Sequence, residues 1–164
     1  MTDEPTIHPA RIRRAEAGDA ETLALLNRTI HDLHLEARPD RFKNPEPQSI
    51  VDWFGSLLGQ ANVSIWLAEC DGRSAGYVVA IDYERAANHV CLARRFCEID
   101  HLAVTAEFRR RGVARALVSA VVDWAKARSI ARIELSAWAF NGDALETYRA
   151  LGFSPQSIRF ELDV

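Results

Sequence analysis

Four arginines cluster around one glycine in the run Arg109-Arg110-Arg111-Gly112-Val113-Ala114-Arg115, which follows an extended stretch and opens an apolar pattern of helical period. That order, strand then turn then helix, suits a polyphosphate. The first N–H groups of a helix have no intrahelical partner and its start carries about half a positive charge, so the backbone alone can hold an anion. The guanidinium groups add full charges around the same amides. A glycine in a helix costs ~1 kcal/mol relative to alanine, a cost that makes sense where a side chain would block a ligand or a packed backbone. Ala114 keeps the next turn small. A solvated basic helix start with a packing glycine reads the same residues without a ligand. Two other phosphate cradles are excluded: no Gly-Lys-Ser/Thr follows the glycine, and no triple-glycine dinucleotide turn follows the first strand.

Just upstream, a two-residue period puts Glu98, Asp100, Leu102 and Val104 on one face of a strand, with Ile99, His101 and Ala103 on the other. Carboxylates on a central strand must be paired or used, because burying a charge is costly. Arg94 or Arg95 would supply a purely structural pairing. His31 and His34 lie three apart with Asp32 between them. They read as polar residues near a groove or on the surface, and no third and fourth ligand is in view, so no metal is expected. Cys70, Cys91 and Cys97 have neither metal spacing nor a disulfide framework. Cys97 adjoins the strand of interest, but no acid or histidine is spaced to activate it, and a small buried hydrophobe is the default.

Arg109 to Ala114 fits the Arg/Gln-x-x-Gly-x-Gly/Ala signature of the GNAT superfamily of acetyl-CoA-dependent N-acetyltransferases, with Leu102-Ala103-Val104 placed ahead of it as in that family. Asn141, Ala144, Tyr148 and Leu151-Gly152-Phe153 resemble the family's Asn-x-x-Ala-x-x-x-Tyr-x-x-x-Gly-Phe segment. The two segments together span residues 97 to 153. Two departures are minor: Ala106 stands where a proline is frequent, and Ala114 where a second glycine is.

The resemblance implies an α/β fold with a mixed, mostly antiparallel sheet, about four helices on both faces, and a splay between strands four and five. It implies acetyl-CoA as cosubstrate and no metal. Amides and side chains from Arg109 to Arg115, Val113 and Ala114 included, would hold the CoA pyrophosphate. The strand edge at Leu102, Ala103 and Val104 would pair with the pantetheine arm, and Asn141 would touch that arm. Glu98 matches the general base of histone-acetylating members, with Asp100 as a second base or an orienting charge. Tyr148 matches the general acid. The implied reaction is direct transfer to a primary amine of a small molecule or peptide, and a homodimer is implied by relatives. Because the first helices of such folds often line the acceptor site, His31, His34 and Arg38 become candidate substrate contacts. The rival class is a binding module that senses acyl-CoA without turnover; the joint presence of Glu98, Asn141 and Tyr148 favours the enzyme.

The elements that must position these residues follow from period and punctuation. A strand is expected over 10–15, then a helix capped by Asp19, burying Leu23, Leu26, Ile30 and Leu33 and stopped by Pro39. Asn44-Pro45 leads into a second helix over 47–59 with Ile50, Trp53, Phe54, Leu57 and Leu58 inward. Strands at 63–70 and 74–83 flank the tight-turn pair Asp71-Gly72. Residues 84–94 have no clean period and fit an active-site loop, a longer hairpin or a subunit contact. A strand over 95–104, a helix over 112–128, a strand over 131–138, a helix over 141–151 ended by Gly152, and a last alternating strand over 157–164 complete the chain.

With 164 residues, 48% of them apolar and 26% charged, the chain suits one domain over 10–164 behind a loose tail at 1–9. A formal net charge of −3 and a pI near 6.0 argue against a nucleic-acid coat. No long apolar run suggests a membrane span and the N-terminus lacks signal-peptide character, so a cytoplasmic protein with no membrane partner is expected.

Overall fold

A computed structural model describes residues 9–164, so the expected loose tail falls outside the described residues except for Pro9. The elements are β1 (Arg11–Arg14), α1 (Ala20–Ala37), α2 (Pro47–Leu58), β2 (Val63–Cys70), β3 (Arg73–Arg85), β4 (Arg94–Val104), α3 (Val113–Ala127), β5 (Ile133–Leu135) and α4 (Gly142–Ala150). They build one sheet in the order β1-β2-β3-β4-β5, antiparallel up to β4, with β5 parallel to β4.

Both faces of this sheet are covered, which is why β2 and the middle of β3 are almost continuously apolar. On one face Leu23 and Leu26 of α1 and Phe54 and Leu57 of α2 pack on Ile65, Leu67, Tyr77 and Val79. On the other, Leu117, Val118, Val121 and Ala125 of α3 pack on Trp66, Val78, Ala80, Cys97 and Ile99. Leu151 and Phe153, at the end of α4, join this second cluster. Cys97 is buried there and its thiol is pushed up to about 12 by that burial, which fits a packing residue.

The β2–β3 hairpin turns through Asp71 and Gly72, both at positive φ, as the sequence pair demands. The undecided stretch after it is a longer hairpin: β3 and β4 pair out to Arg85 and Arg94. Where β3 passes β4, Gly76 leaves no room for a side chain. A Cβ there would lie 2.3 Å from the carbonyl oxygen of Ala103.

Several expectations are corrected. Asp19 occupies the N-cap position of α1 as expected but makes no side-chain capping bond; its carboxylate accepts from the N–H of Glu16 at 2.7 Å and binds Arg13 instead. Leu33 is 39% exposed, whereas Asn27 on the same helix is buried. β5 has three residues rather than eight, and residues 154–164 form no strand. Alternation suits a strand with one covered face, but a strand also needs a partner edge and a face to cover. Here the segment is tied down by Glu161, which accepts from Arg38 at 2.6 Å and Arg41 at 2.9 Å, and its apolar side chains stay exposed.

The correction with most bearing on function is in β4. Val79 pairs with His101 and the next residue, Ala80, with Ile99, so Asp100 is an extra residue in the ladder. A bulge of this kind reverses the phase of alternation beyond it. Leu102 and Val104 therefore lie with Ile99 on the α3 face, while Ala103 joins the α1/α2 cluster. Glu98, opposite Ile81 of the α1/α2 cluster, does not share a face with Leu102 and Val104.

Candidate acetyl-transfer site

The turn before α3 is built to present amides. Phe108 is buried and anchors it. Arg110 at φ 63 and Gly112 at φ 79 are both left-handed and bracket Arg111, which curves successive N–H groups toward one side. Around a Cβ built on Gly112 there is open space, so the glycine is required by backbone conformation and leaves that side unobstructed. The first helical bond runs from the N–H of Ala116 to the carbonyl of Gly112. The amides of Val113, Ala114 and Arg115 lie ahead of it and have no acceptor among the described residues.

None of the four surrounding arginines pairs with a carboxylate among the described residues. Arg109 donates from Nε to the carbonyl of Val104 at 3.2 Å, Arg115 reaches the carbonyl of Ala150 at 3.4 Å, and Arg111 lies over the Phe108 ring. Unneutralised cations beside unbonded amides are what an anion site needs.

A cavity of about 480 Å³ lies between α1, α2, β4 at Ile99 to Leu102, and α4; no residue of the turn or of α3 is among its described lining residues. It exists because β4 and β5 pair only at Cys97–Ile133, Glu98–Glu134 and Ile99–Leu135. Beyond that point β4 continues to Val104 with no strand on its β5 side among the described residues. The expected splay is thus where the resemblance puts it, and it coincides with the bulge at Asp100.

Of the expected site residues, Asp100, Leu102, Asn141, Tyr148, His31 and His34 line the cavity. Glu98 does not. Its carboxyl is raised by burial and then by the negative charge of Asp100, and it lies level with Glu134 of β5. Arg38 also stays outside, held by Asp40 and Glu161. His31 contacts the carbonyl of Lys43 at 2.8 Å and His34 stacks on Phe42. Asn141 is the N-cap of α4, its side-chain oxygen accepting from the N–H of Ala144 at 3.2 Å. Tyr148 is half-buried, and desolvation raises its phenol above the ordinary value, so it is neutral and carries its proton at neutral pH.

One lining residue was passed over in the sequence. The bulge turns His101 into the α1/α2 side of the cavity, where Tyr77 Oη lies 2.9 Å from its Nδ1 and Asn27 Nδ2 lies 2.9 Å from Tyr77 Oη. With the amide of Asn27 donating to the phenol and the phenol to the ring, Nδ1 accepts and Nε2 carries the hydrogen. Nε2 is 3.8 Å from the carboxylate of Asp100. Burial lowers the histidine's pKa, with Asp100 opposing. The signal in the sequence was Asn27, a polar residue in the apolar stripe of α1.

The model of the acetyltransferase (GNAT) family matches residues 27–153. An uncharacterized N-acetyltransferase of Methanocaldococcus jannaschii is 29% identical over 106 residues, 65% of this chain and 46% of its own. N-acetyltransferase family 8 member 3 of Mus musculus is 30% identical over 104 residues, 63% of this chain and 44% of its own. The chain spans less than half the length of these curated relatives. Among solved structures, a mutant of the protein BH1408 from Bacillus halodurans superposes with a TM-score of 0.89 at 25% identity, covering 94% of this chain and 99% of that one. Aminoglycoside N-acetyltransferase AAC(6')-Iy in complex with CoA follows at 0.77 and 19% identity, covering 98% and 99%; at that identity the likeness concerns the fold. With a family model spanning most of the chain and a site formed at the bulge and splay of its fourth strand, this chain belongs to the GNAT family of acetyltransferases.

Proposed function

We propose that the chain is an acetyl-CoA-dependent N-acetyltransferase that acts on a primary amine by direct transfer. The observation that carries this reading is a cavity lined by both an acid and a carboxylate beside the unpaired stretch of β4, the strand that leads into the unbonded amides at the start of α3. The turn from Arg109 to Arg115 would take the pyrophosphate of CoA. Leu102, Ala103 and Val104 would pair with the pantetheine arm as an added strand does, leaving the thioester beside Asn141 and Tyr148.

An alkylamine with a pKa of about 10 arrives as an ammonium ion and must lose a proton before it attacks. Asp100 lines the cavity and is the carboxylate placed to take that proton, with His101 beside it. Glu98, the base implied by resemblance, would act only through water. The amine nitrogen then adds to the thioester carbonyl, the C–S bond breaks, the thiolate takes the proton of Tyr148, and the nitrogen gives up its second proton to restore that phenol, leaving the amide, free CoA thiol and the one proton held at Asp100. An ordinary phenol near 10 and a thiol near 8.5 lie close, and burial, which holds Tyr148 above that phenol value, keeps the proton on it until the thiolate departs.

The test is thiol release from acetyl-CoA over a panel of amines, beside calorimetric titration with CoA. Amine-dependent release supports the enzyme. Tight CoA binding with no release from any amine means a non-catalytic acyl-CoA sensor. We further propose a homodimer joined through residues 157–164, because Ile158, Phe160, Leu162 and Val164 alternate and are all exposed while β5 is an edge strand. Light scattering should give the mass of two chains, and a Phe160→Lys, Leu162→Lys variant should give the mass of one.

A further inference from the structure

The acceptor half of the cavity has a marked composition. His34, Phe42 and Trp138 form one wall: His34 stacks on Phe42 with centroids 5.1 Å apart, and Phe42 meets Trp138 edge-on at 5.7 Å. Phe140 backs this wall, stacked on Trp138 at 5.8 Å and edge-on to His34 at 5.9 Å. Trp53 and Ile50 of α2 and Ile30 of α1 also line the cavity, Trp53 lying 5.2 Å from His101.

Against these rings stands one fixed charge. Asp100 is the only Asp, Glu, Lys or Arg among the described lining residues. Burial lowers the pKa of both His34 and His101, so neither adds a positive charge at neutral pH. At the rim Arg38 and Arg41 lie over Trp138 and are matched by Asp40 and Glu161, a balanced group that offers no spare carboxylate to a polycation.

From this we infer that the wall of His34, Phe42 and Trp138 is a subsite for the flat apolar body of an acceptor carrying a single amine, whose ammonium meets Asp100 before transfer. The inference rests on the acetyltransferase reading and narrows its acceptor to an aromatic monoamine. A polyamine or aminoglycoside brings several ammonium groups, and each one beyond the first would lose its water in the cavity without gaining a carboxylate. An aromatic body instead exchanges water for contact with the rings that line the cavity. The aminoglycoside enzyme that shares the fold therefore does not lend this chain its substrate.

The experiment compares kcat/KM for 2-phenylethylamine, ethylamine, spermidine and kanamycin with the full chain and acetyl-CoA. The expected result is that 2-phenylethylamine exceeds each of the others by about tenfold or more. In Trp138→Ala and in the bulk-retaining Phe42→Leu, the ratio of 2-phenylethylamine to ethylamine should fall by about tenfold, through KM. Preference for spermidine or kanamycin, or equal losses on both small amines, overturns the subsite while leaving the acetyltransferase intact. If no amine is turned over, tryptophan fluorescence decides the subsite separately. Quenching by 2-phenylethylamine that weakens in Phe42→Leu upholds it though the transferase reading has failed, and absence of quenching overturns it.

Discussion

At the scale of single residues, the proposed chemistry turns on Tyr148 and on which carboxylate accepts the amine proton. Tyr148→Phe removes a proton donor and little volume, so kcat should fall by about 10²-fold or more with acetyl-CoA affinity nearly unchanged. A variant that retains full turnover takes Tyr148 out of the mechanism. Asp100 lines the cavity and Glu98 does not. Asp100→Asn should therefore lower kcat/KM by about 10²-fold or more, whereas Glu98→Gln should cost less than about tenfold. The reverse order would place the proton path through water at Glu98. His101 lies beside Asp100 and is held by a chain of hydrogen bonds from Asn27 and Tyr77, a satisfied network whose parts hold one another in register.

Elements set the geometry within which those residues work. The start of α3 depends on Gly112 at φ 79. An L side chain there strains the backbone by roughly 1–2 kcal/mol even though no protein atom lies near its Cβ. Gly112→Ala should weaken CoA binding, measured by calorimetry, while the protein stays folded. Gly112→Glu should abolish binding, because it adds a negative charge on the open side of the cradle. Unchanged affinity in both would remove the turn from CoA recognition. Gly76 plays a different part: a methyl group would strike the carbonyl of Ala103 and push β3 off β4 where Gly76 pairs with Val104, beyond the bulge. Gly76→Ala should lower stability by more than ~2 kcal/mol in urea, a far larger effect than a surface substitution gives.

Over the whole molecule, burial of histidine links the site to stability. Burial lowers the pKa of His34 and His101 below the ordinary value of about 6.5, so the unfolded chain takes up those protons first as pH falls. Their share of stability is complete above about pH 6.5 and declines below it. Glu98, raised by burial, works in the opposite sense but is one partly exposed carboxylate against two histidines. Asp19 and Asp82 have lowered pKa values through Arg13 and Arg95, and their stabilisation is lost only at more acid pH, around and below the ordinary aspartate value of about 3.9. The melting temperature should accordingly drop between pH 7.5 and 5.5, and a His34→Gln, His101→Gln variant should show a shallower drop. Equal slopes would mean that neither histidine is buried as the cavity requires.

The sequence by itself determined what is local. Periodicity located α1, α2, β2 and α3 to within a few residues, Asp71-Gly72 announced its turn, and the arginines around Gly112 pointed to an anion-binding helix start, because backbone preference and helix-end electrostatics are written in near neighbours, whereas CoA, Asn141 and Tyr148 came from resemblance to a family. Only the tertiary structure decided what depends on distant partners. Whether residues 157–164 pair, where β5 stops and which way β4 faces beyond residue 99 all depend on the edge of another strand. One inserted residue at Asp100 reversed the expected faces of β4 and brought His101 into the cavity. No two-residue period can foresee that, since a bulge is fixed by the register between two strands and not by either strand alone.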